Sequence, residues 1–259
     1  MRIASWNINS LRKRQEQLFT WLQSTAPDVV CLQETKCPDD QFPELALKAL
    51  GYHSACHGEK SYNGVAIISK HHLRHIRLSL CDEVVDPQAR VISAVIQGIR
   101  VYSVYAPNGQ AIGSEPYQYK LKWFARLRDC LARDLADLPN KSELVVSGDF
   151  NVAPEDIDVH DPGLWRGAIM CSDGERAAFQ SLRRVGLIDT LRLHHNEPGM
   201  FTWWDYRMLA FPKNRGLRID AVLATELLAQ KCIAAGIDRE LRKGKEPSDH
   251  APIWADFQC

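Results

Sequence analysis

The sequence predicts an α/β fold with mixed β-sheets and helices packed outside them, on three observations. Short runs rich in Val and Ile recur along the whole chain, at residues 3–8, 29–32, 65–69, 91–96, 101–105, 144–147, 219–223 and 253–257. Each has the length and composition of a strand. Apolar residues spaced by three and four mark helices between some of these runs. Several neighbouring runs have no helix between them, although a purely parallel doubly wound sheet would need one.

The first strand begins at once, in Met1-Arg2-Ile3-Ala4-Ser5-Trp6, without the basic region and apolar core of a signal peptide. Leu18, Trp21, Leu22 and Thr25 then predict a helix, and residues 45–50 a short one stopped by Gly51. Leu121, Phe124, Leu127, Leu131, Leu135 and Leu138 form a single apolar stripe, so a long helix lies between the strands at 101–105 and 144–147. Ser172-x-x-Glu175 is a capping box ahead of Phe179, Leu182 and Val185, which starts another helix there. No Pro/Ser-rich linker or low-complexity tract interrupts the chain, so residues 1–259 read as a single catalytic domain.

Composition narrows the function classes. The chain is 45% hydrophobic, ordinary for a soluble globular protein, and no apolar run approaches the roughly 20 residues of a membrane span. Its 8 cysteines are scattered with no Cys-x-x-Cys pair, the pattern of free thiols in a reducing cytoplasm, where the protein is expected to work. With 32 basic and 32 acidic residues there is no general basic coat for nucleic acid, but a local one remains open. Two windows depart from this balance. Glu143, Asp149, Glu155, Asp156, Asp158 and Asp161 lie in a stretch without Lys or Arg, while Arg207, Lys213, Arg215 and Arg218 face only Asp205. Such a pair of windows suits a cation site beside a phosphate-binding surface, or simply two solvated loops.

The strand ends carry a second pattern. Apolar runs lead into Asn7 and Asn9, Gln33 and Glu34, Tyr105 and Asn108, Asp149 and Asn151, Asp220, and Asp249 with His250. Any one of these could be a turn former. Together, on strands lying side by side, they can converge on one rim, where rigid elements hold a constellation in place.

Phosphodiester hydrolysis needs an activated water, a cation for the phosphate oxygens and help for the leaving alkoxide. Glu34, Asp149 and Asp249 supply carboxylates of the kind that hold Mg²⁺, or Mn²⁺, with water and phosphate completing the shell. No His/Cys cluster has the spacing of a structural zinc site. A histidine beside carboxylates can stay cationic and grip a phosphate or exchange a proton, which singles out His250 among the 9 histidines. The residues by themselves thus point to a metal-dependent phosphoesterase.

Six segments resemble the exonuclease III family of abasic-site endonucleases, a branch of the endonuclease/exonuclease/phosphatase superfamily. They are Trp6-Asn7-Ile8-Asn9, Leu32-Gln33-Glu34-Thr35-Lys36, Tyr105-Ala106-Pro107-Asn108, Gly148-Asp149-Phe150-Asn151-Val152-Ala153-Pro154, Gly216-Leu217-Arg218-Ile219-Asp220 and Ser248-Asp249-His250-Ala251-Pro252. Gly-Asp-x-Asn and Ser-Asp-His belong to the whole superfamily. Trp203-Trp204-Asp205-Tyr206-Arg207 and Asn214-Arg215-Gly216-Leu217-Arg218-Ile219-Asp220 are particular to the DNA-repair branch.

The resemblance implies a four-layered α/β sandwich, two packed mixed sheets flanked by helices, of the DNase I-like kind. It also implies roles. Glu34, with Asn7, would hold the metal, and Asp249 would be a second ligand or a partner to one. Asp149, Asn151 and His250 complete the candidate metal surroundings. Asp149 would act as general base or proton shuttle, Asn151 would orient water and phosphate, and Tyr105 would hydrogen-bond the scissile phosphate. Asp220 would orient His250 against a phosphate oxygen. The implied partner is double-stranded DNA with abasic sites or 3′ ends, and the expected state is a monomer with no membrane contact. The implied reaction is cleavage 5′ of an abasic site, with 3′-to-5′ exonuclease action and 3′-end trimming at the same site.

For recognition, Trp6, Trp21, Trp123 and Trp254 fall in strand or helix stripes and read as core. The resemblance sets Trp203 against a base-less sugar, and Arg207, Lys213, Arg215, Arg218 and Lys36 are candidate phosphate contacts. Pro162-Gly163-Leu164-Trp165-Arg166-Gly167 departs from the asparagine-containing loop of some relatives, so no contact is transferred there. Two other readings stand beside this one. A superfamily phosphoesterase would act mainly as a 3′ exonuclease or on non-DNA phosphodiesters, the latter with little salt dependence, and a binding module keeping only the fold would show no turnover.

Overall fold

A strand that is apolar on both faces has to be covered on both, and here that requirement produces four layers. The structure is a computed structural model that describes residues 1–80, 82, 84, 86–137 and 143–258. One six-stranded sheet has the order β11-β12-β1-β2-β4-β3, from β1 (Arg2–Asn7), β2 (Val29–Gln33), β3 (His53–His57), β4 (Val65–Ser69), β11 (Cys232–Ile237) and β12 (Ile253–Phe257). The other has the order β5-β6-β7-β8-β10-β9, from β5 (Arg74–Arg77), β6 (Val91–Ile96), β7 (Ile99–Tyr105), β8 (Leu144–Asp149), β9 (Leu187–Asp189) and β10 (Asp220–Thr225). β1 runs parallel to β2 and β7 to β8, whereas β1–β12 and β8–β10 are antiparallel, so both sheets are mixed as expected.

Period-two alternation assigns the faces. Ile3 and Val101 point into the core between the sheets, with Val145, Val222 and Ile253. Ala4 and Trp6 point outward beneath Leu18, Trp21 and Leu22 of α1 (Leu11–Thr25) and Leu47 of α2 (Glu44–Ala49). Tyr102 and Val104 point outward on the other side. Phe124, Leu127 and Leu131 of α3 (Glu115–Asp137) cover them. The short α4 (Pro162–Trp165) precedes α5 (Asp173–Arg183), whose Phe179 and Leu182 extend that layer. Burying each such Leu or Phe contributes about 1.5–3 kcal/mol, enough for the predicted stripe to hold α3 down; Leu138 of that stripe lies outside the described residues. Ser172 caps α5 as predicted, its Oγ accepting from the Glu175 amide at 3.3 Å while Glu175 Oε2 accepts from the Ser172 amide at 3.1 Å.

Three expectations change. β3, β5, β9 and β11 have no counterpart among the predicted runs, and all four are sheet edges. α1 starts at Leu11, ahead of the predicted stripe, and is kinked at the buried Arg14. Trp254 is only half-buried: it packs at the margin of the core beneath α1, with the Arg2 guanidinium 4.0 Å over its ring. Among the described residues, no helix is long and apolar enough to cross a membrane.

Candidate active site

Strand direction brings the polar ends to one rim. Asn7 pairs with Gln33 at the end of β1 and β2, and Tyr105 with Asp149 at the end of β7 and β8. Asp220 pairs with the same Asp149 from the antiparallel β10. Gly148 is needed for this approach, since a Cβ there would lie 1.9 Å from the Val104 carbonyl oxygen. Ser248 secures the remaining segment, its Oγ donating to the Asn7 carbonyl at 2.7 Å and accepting from the His250 amide at 3.2 Å.

At the centre, Asn7 Nδ2 donates to Glu34 Oε1 (2.8 Å) and to Asp149 Oδ2 (2.9 Å). Asp149 Oδ1 accepts from the Asn151 amide at 2.8 Å, and His250 Nε2 lies 3.8 Å from Asp149 Oδ2. His250 Nδ1 bonds Asp220 Oδ2 at 2.8 Å. Tyr105 stands beside Glu34 and Asp149, with the Arg90 guanidinium 4.7 Å over its ring.

Burial and charge decide protonation. For Asp149, burial pushes the carboxyl up; His250 pulls it down and Asp220 pushes it up, so it ends well above the usual carboxylate range. Burial would lower His250, but Asp220 and Asp149 outweigh it and hold the imidazole cationic through neutral pH. Burial, with Glu34 and Asp149 beside it, keeps the Tyr105 phenol protonated as a donor. Asp249 is partly buried, which pushes its carboxyl up, yet His250 and bonds from Asn9 and Trp203 outweigh this and pull it below the usual range.

Ligand atoms of Glu34, Asp149 and His250 all lie within 4.8 Å of one another, the one such group among the described residues. The donor chemistry fits a hard divalent cation on the two carboxylates. The cluster already draws a cation, because Lys36 Nζ lies 2.9 Å from Glu34 Oε2 and donates to Asn9 Oδ1 at 2.6 Å. His250 Nδ1 is engaged by Asp220, so its Nε2 is the atom turned toward the carboxylates, and as a cation it suits a phosphate oxygen. The other expected ligands carry hydrogen bonds of their own. Asn7 gives its nitrogen to the carboxylates while its oxygen accepts from the Asn9 amide (3.0 Å), and Asn151 Oδ1 accepts from Asn108 Nδ2 (3.2 Å). Asp249 accepts from Asn9 Nδ2 (2.8 Å) on Oδ1 and from Trp203 Nε1 (3.0 Å) on Oδ2.

The substrate-facing residues divide. Trp204 is fully buried and Trp203 half-buried, as neighbours on opposite faces should be, and Trp203 meets Trp165 edge-on at 6.5 Å. Arg215 and Lys213 are exposed, and Arg207 pairs with Asp205. Arg218 is not a phosphate contact. It is 1% exposed and bonds Asp158 and Asp189, because the segment turns inward at Gly216, where a Cβ would collide with Phe201 and Trp204. The two charge windows are therefore not a cation site facing an anion site. Asp158 of the acidic one is neutralised by Arg218 and Arg192, and only Asp149 of that window joins the centre.

Sequence reasoning missed Arg14, whose guanidinium ties the Asn9, Glu246 and Pro247 carbonyls together. It also missed Lys120, which bonds the Asn151 carbonyl at 2.7 Å. A lysine in register with the apolar stripe of α3, four residues before Phe124, was the available signal.

Known proteins share this fold. The sequence pattern of the Endonuclease/Exonuclease/phosphatase family matches residues 4–250. The Exodeoxyribonuclease III of Haemophilus influenzae is 36% identical, with all of both chains covered. Among solved structures, the 3′ phosphatase NExo from Neisseria, bound to a product DNA hairpin, is 41% identical with a TM-score of 0.97, covering 100% of both chains. An AP endonuclease from Archaeoglobus fulgidus is 38% identical with a TM-score of 0.95, again over 100% of both.

Proposed function

This chain belongs to the exodeoxyribonuclease III branch of the endonuclease/exonuclease/phosphatase family and is a nuclease, and we propose that it is a Mg²⁺-dependent repair enzyme for duplex DNA. It cuts the backbone 5′ of an abasic site and trims or dephosphorylates 3′ ends with the same residues. The observation that carries this reading is the buried Asp220–His250–Asp149 line beside Glu34, with Trp203 next to it.

Each residue then has a task. Asp149, raised by burial, accepts the proton of the attacking water, and Asn151 holds its carboxylate in line. His250, kept cationic by Asp220, binds a non-bridging phosphate oxygen, and the Tyr105 hydroxyl donates to another. A divalent cation on Glu34 and Asp149 would supply charge neutralisation at the phosphate. Asp249 holds Trp203 from its indole nitrogen, which sets that ring beside the sugar next to the scissile phosphate. Exposed Arg215 meets a flanking phosphate, and Lys36, which pairs with Glu34 here, would be free to reach DNA if Glu34 held a cation. The protein acts as a cytoplasmic monomer.

The likeness to a 3′ phosphatase favours a second reading, in which 3′-end removal dominates. A duplex with one stable abasic analogue and a duplex with a 3′-phosphate separate the two, each assayed with Mg²⁺ and with excess chelator. Incision at the analogue, lost with chelator and reduced at least about 100-fold in Asp149→Asn, is the expected result. Activity confined to the 3′ ends would leave only the second reading. Full activity in Asp149→Asn would overturn the mechanism for both.

A further inference from the structure

Lys120 is a buried ionisable group to which the proposed chemistry gives no task. It sits on α3 with 0% exposure, where the stripe calls for an apolar residue. Its ammonium donates to the Asn108 carbonyl (3.1 Å), the Asn151 carbonyl (2.7 Å) and Glu175 Oε1 (2.5 Å). A cation so far from water is costly even when paired, and packing alone would be served as well by methionine. The acceptors identify what the charge does. Asn108 follows Tyr105, Asn151 follows Asp149, and Glu175 opens α5, where it also accepts from the amides of Met170 (3.0 Å) and Ser172 (3.1 Å).

The two carbonyls belong to the residues that hold Asp149. Asn151 has the left-handed φ of 52°, a conformation that non-glycine residues keep only when their surroundings impose it. In that conformation its amide reaches Asp149 Oδ1, and its Nδ2 reaches the Ala106 carbonyl at 3.0 Å. Asn108 Nδ2 closes the ring by donating to Asn151 Oδ1. Without the ammonium, two carbonyl oxygens and a carboxylate would face one another in a dry pocket and repel.

We propose that Lys120 is a positioning residue, a buried ammonium that draws the loops after β7 and β8 onto Glu175 and so fixes Asn151 and Asp149 for the reaction. This rests on the reading of Asp149 as the group that takes the proton. The variant that tests it is Lys120→Met combined with Glu175→Gln, which leaves no unpaired buried charge. The control is Leu131→Ala, a core truncation on the same helix away from the rim.

Both are assayed on the abasic duplex, the 3′-phosphate duplex and bis(p-nitrophenyl) phosphate, which needs no DNA recognition, with thermal melting in parallel. The double variant should lose kcat about 100-fold on every substrate the parent cleaves, with KM within about threefold, as a misplacement of about 1 Å does. Leu131→Ala should lose melting temperature but keep kcat wherever it is folded. If the double variant does not fold, Lys120→Gln is read by the same criteria. A kcat within about threefold of Leu131→Ala at equal folded fraction would make Lys120 merely structural. A parent active only on bis(p-nitrophenyl) phosphate would remove the abasic reading and leave the Lys120 comparison intact.

Discussion

The stretch from Trp203 to Asp220 has two parts that both carry arginine and meet opposite fates. From Asp205 to Arg215 the side chains Tyr206, Arg207, Met208, Leu209, Lys213 and Arg215 are largely exposed, and Met208 and Leu209 hold left-handed φ values of 59° and 53°. From Gly216 to Asp220 every residue is buried, and Arg218 is locked between Asp158 and Asp189 at 2.6–2.7 Å. The same residue type, arginine, lies exposed to solvent in one half and is an internal strut in the other. What separates them is where partners stand. Asp158 and Asp189 await Arg218 inside, whereas Arg215 forms no ion pair among the described residues.

The largest effect that tests this contrast is on stability. Arg218→Met leaves Asp158 and Asp189 facing each other with only Arg192 to compensate. Breaking a buried charge network from one side costs about 3–5 kcal/mol. Urea unfolding should show that loss, while the folded fraction keeps the parent's salt dependence for DNA. A variant of unchanged stability but weakened DNA binding would move Arg218 back to the contact surface.

That distinction was not legible in the sequence, for a definite reason. A face can be assigned only where a period exists, and residues 205–218 have neither the two-residue nor the 3.6-residue repeat. The rim was legible because β1, β2, β7, β8 and β10 are internal strands buried on both faces, so polar residues at their ends stand out. The edge strands β3, β5, β9 and β11 escaped because one flank is open and their residues, such as Arg74, His75 and Arg77, read as loop. Glu34, Asp149, Asp220 and His250 were found as residues and do meet. Their hydrogen-bond geometry was not, since which atom of Asn7 faces the carboxylates follows from the Asn9 amide that takes its oxygen.

A second test, of intermediate size, concerns the buried half where it touches the chemistry. His250 is raised to about 10, and Asp220 is the strongest upward influence. A histidine raised on folding adds stability that is complete below its unfolded value, about 6.5, and is lost as pH rises through the folded value. If the cation is the active form, parent activity should hold across neutral pH and fall on the alkaline side. Asp220→Asn removes the carboxylate, so the alkaline fall should move toward neutral and kcat at pH 8 should drop about 100-fold. A pH profile unchanged in Asp220→Asn would separate His250 from the reaction.

The smallest expected effect lies in the exposed half and completes the comparison. Arg215 has no buried carboxylate to leave behind, so Arg215→Ala should change unfolding free energy by no more than about 0.5 kcal/mol. If it meets one DNA phosphate, the slope of log affinity against log salt should fall by about 0.9, with kcat at saturating DNA unaltered. Arg218→Met and Arg215→Ala thus make opposite predictions from neighbouring positions: stability without salt slope in one, salt slope without stability in the other. Equal changes in both measurements for both variants would mean that the segment acts as one unit, and that the division at Gly216 has no functional meaning.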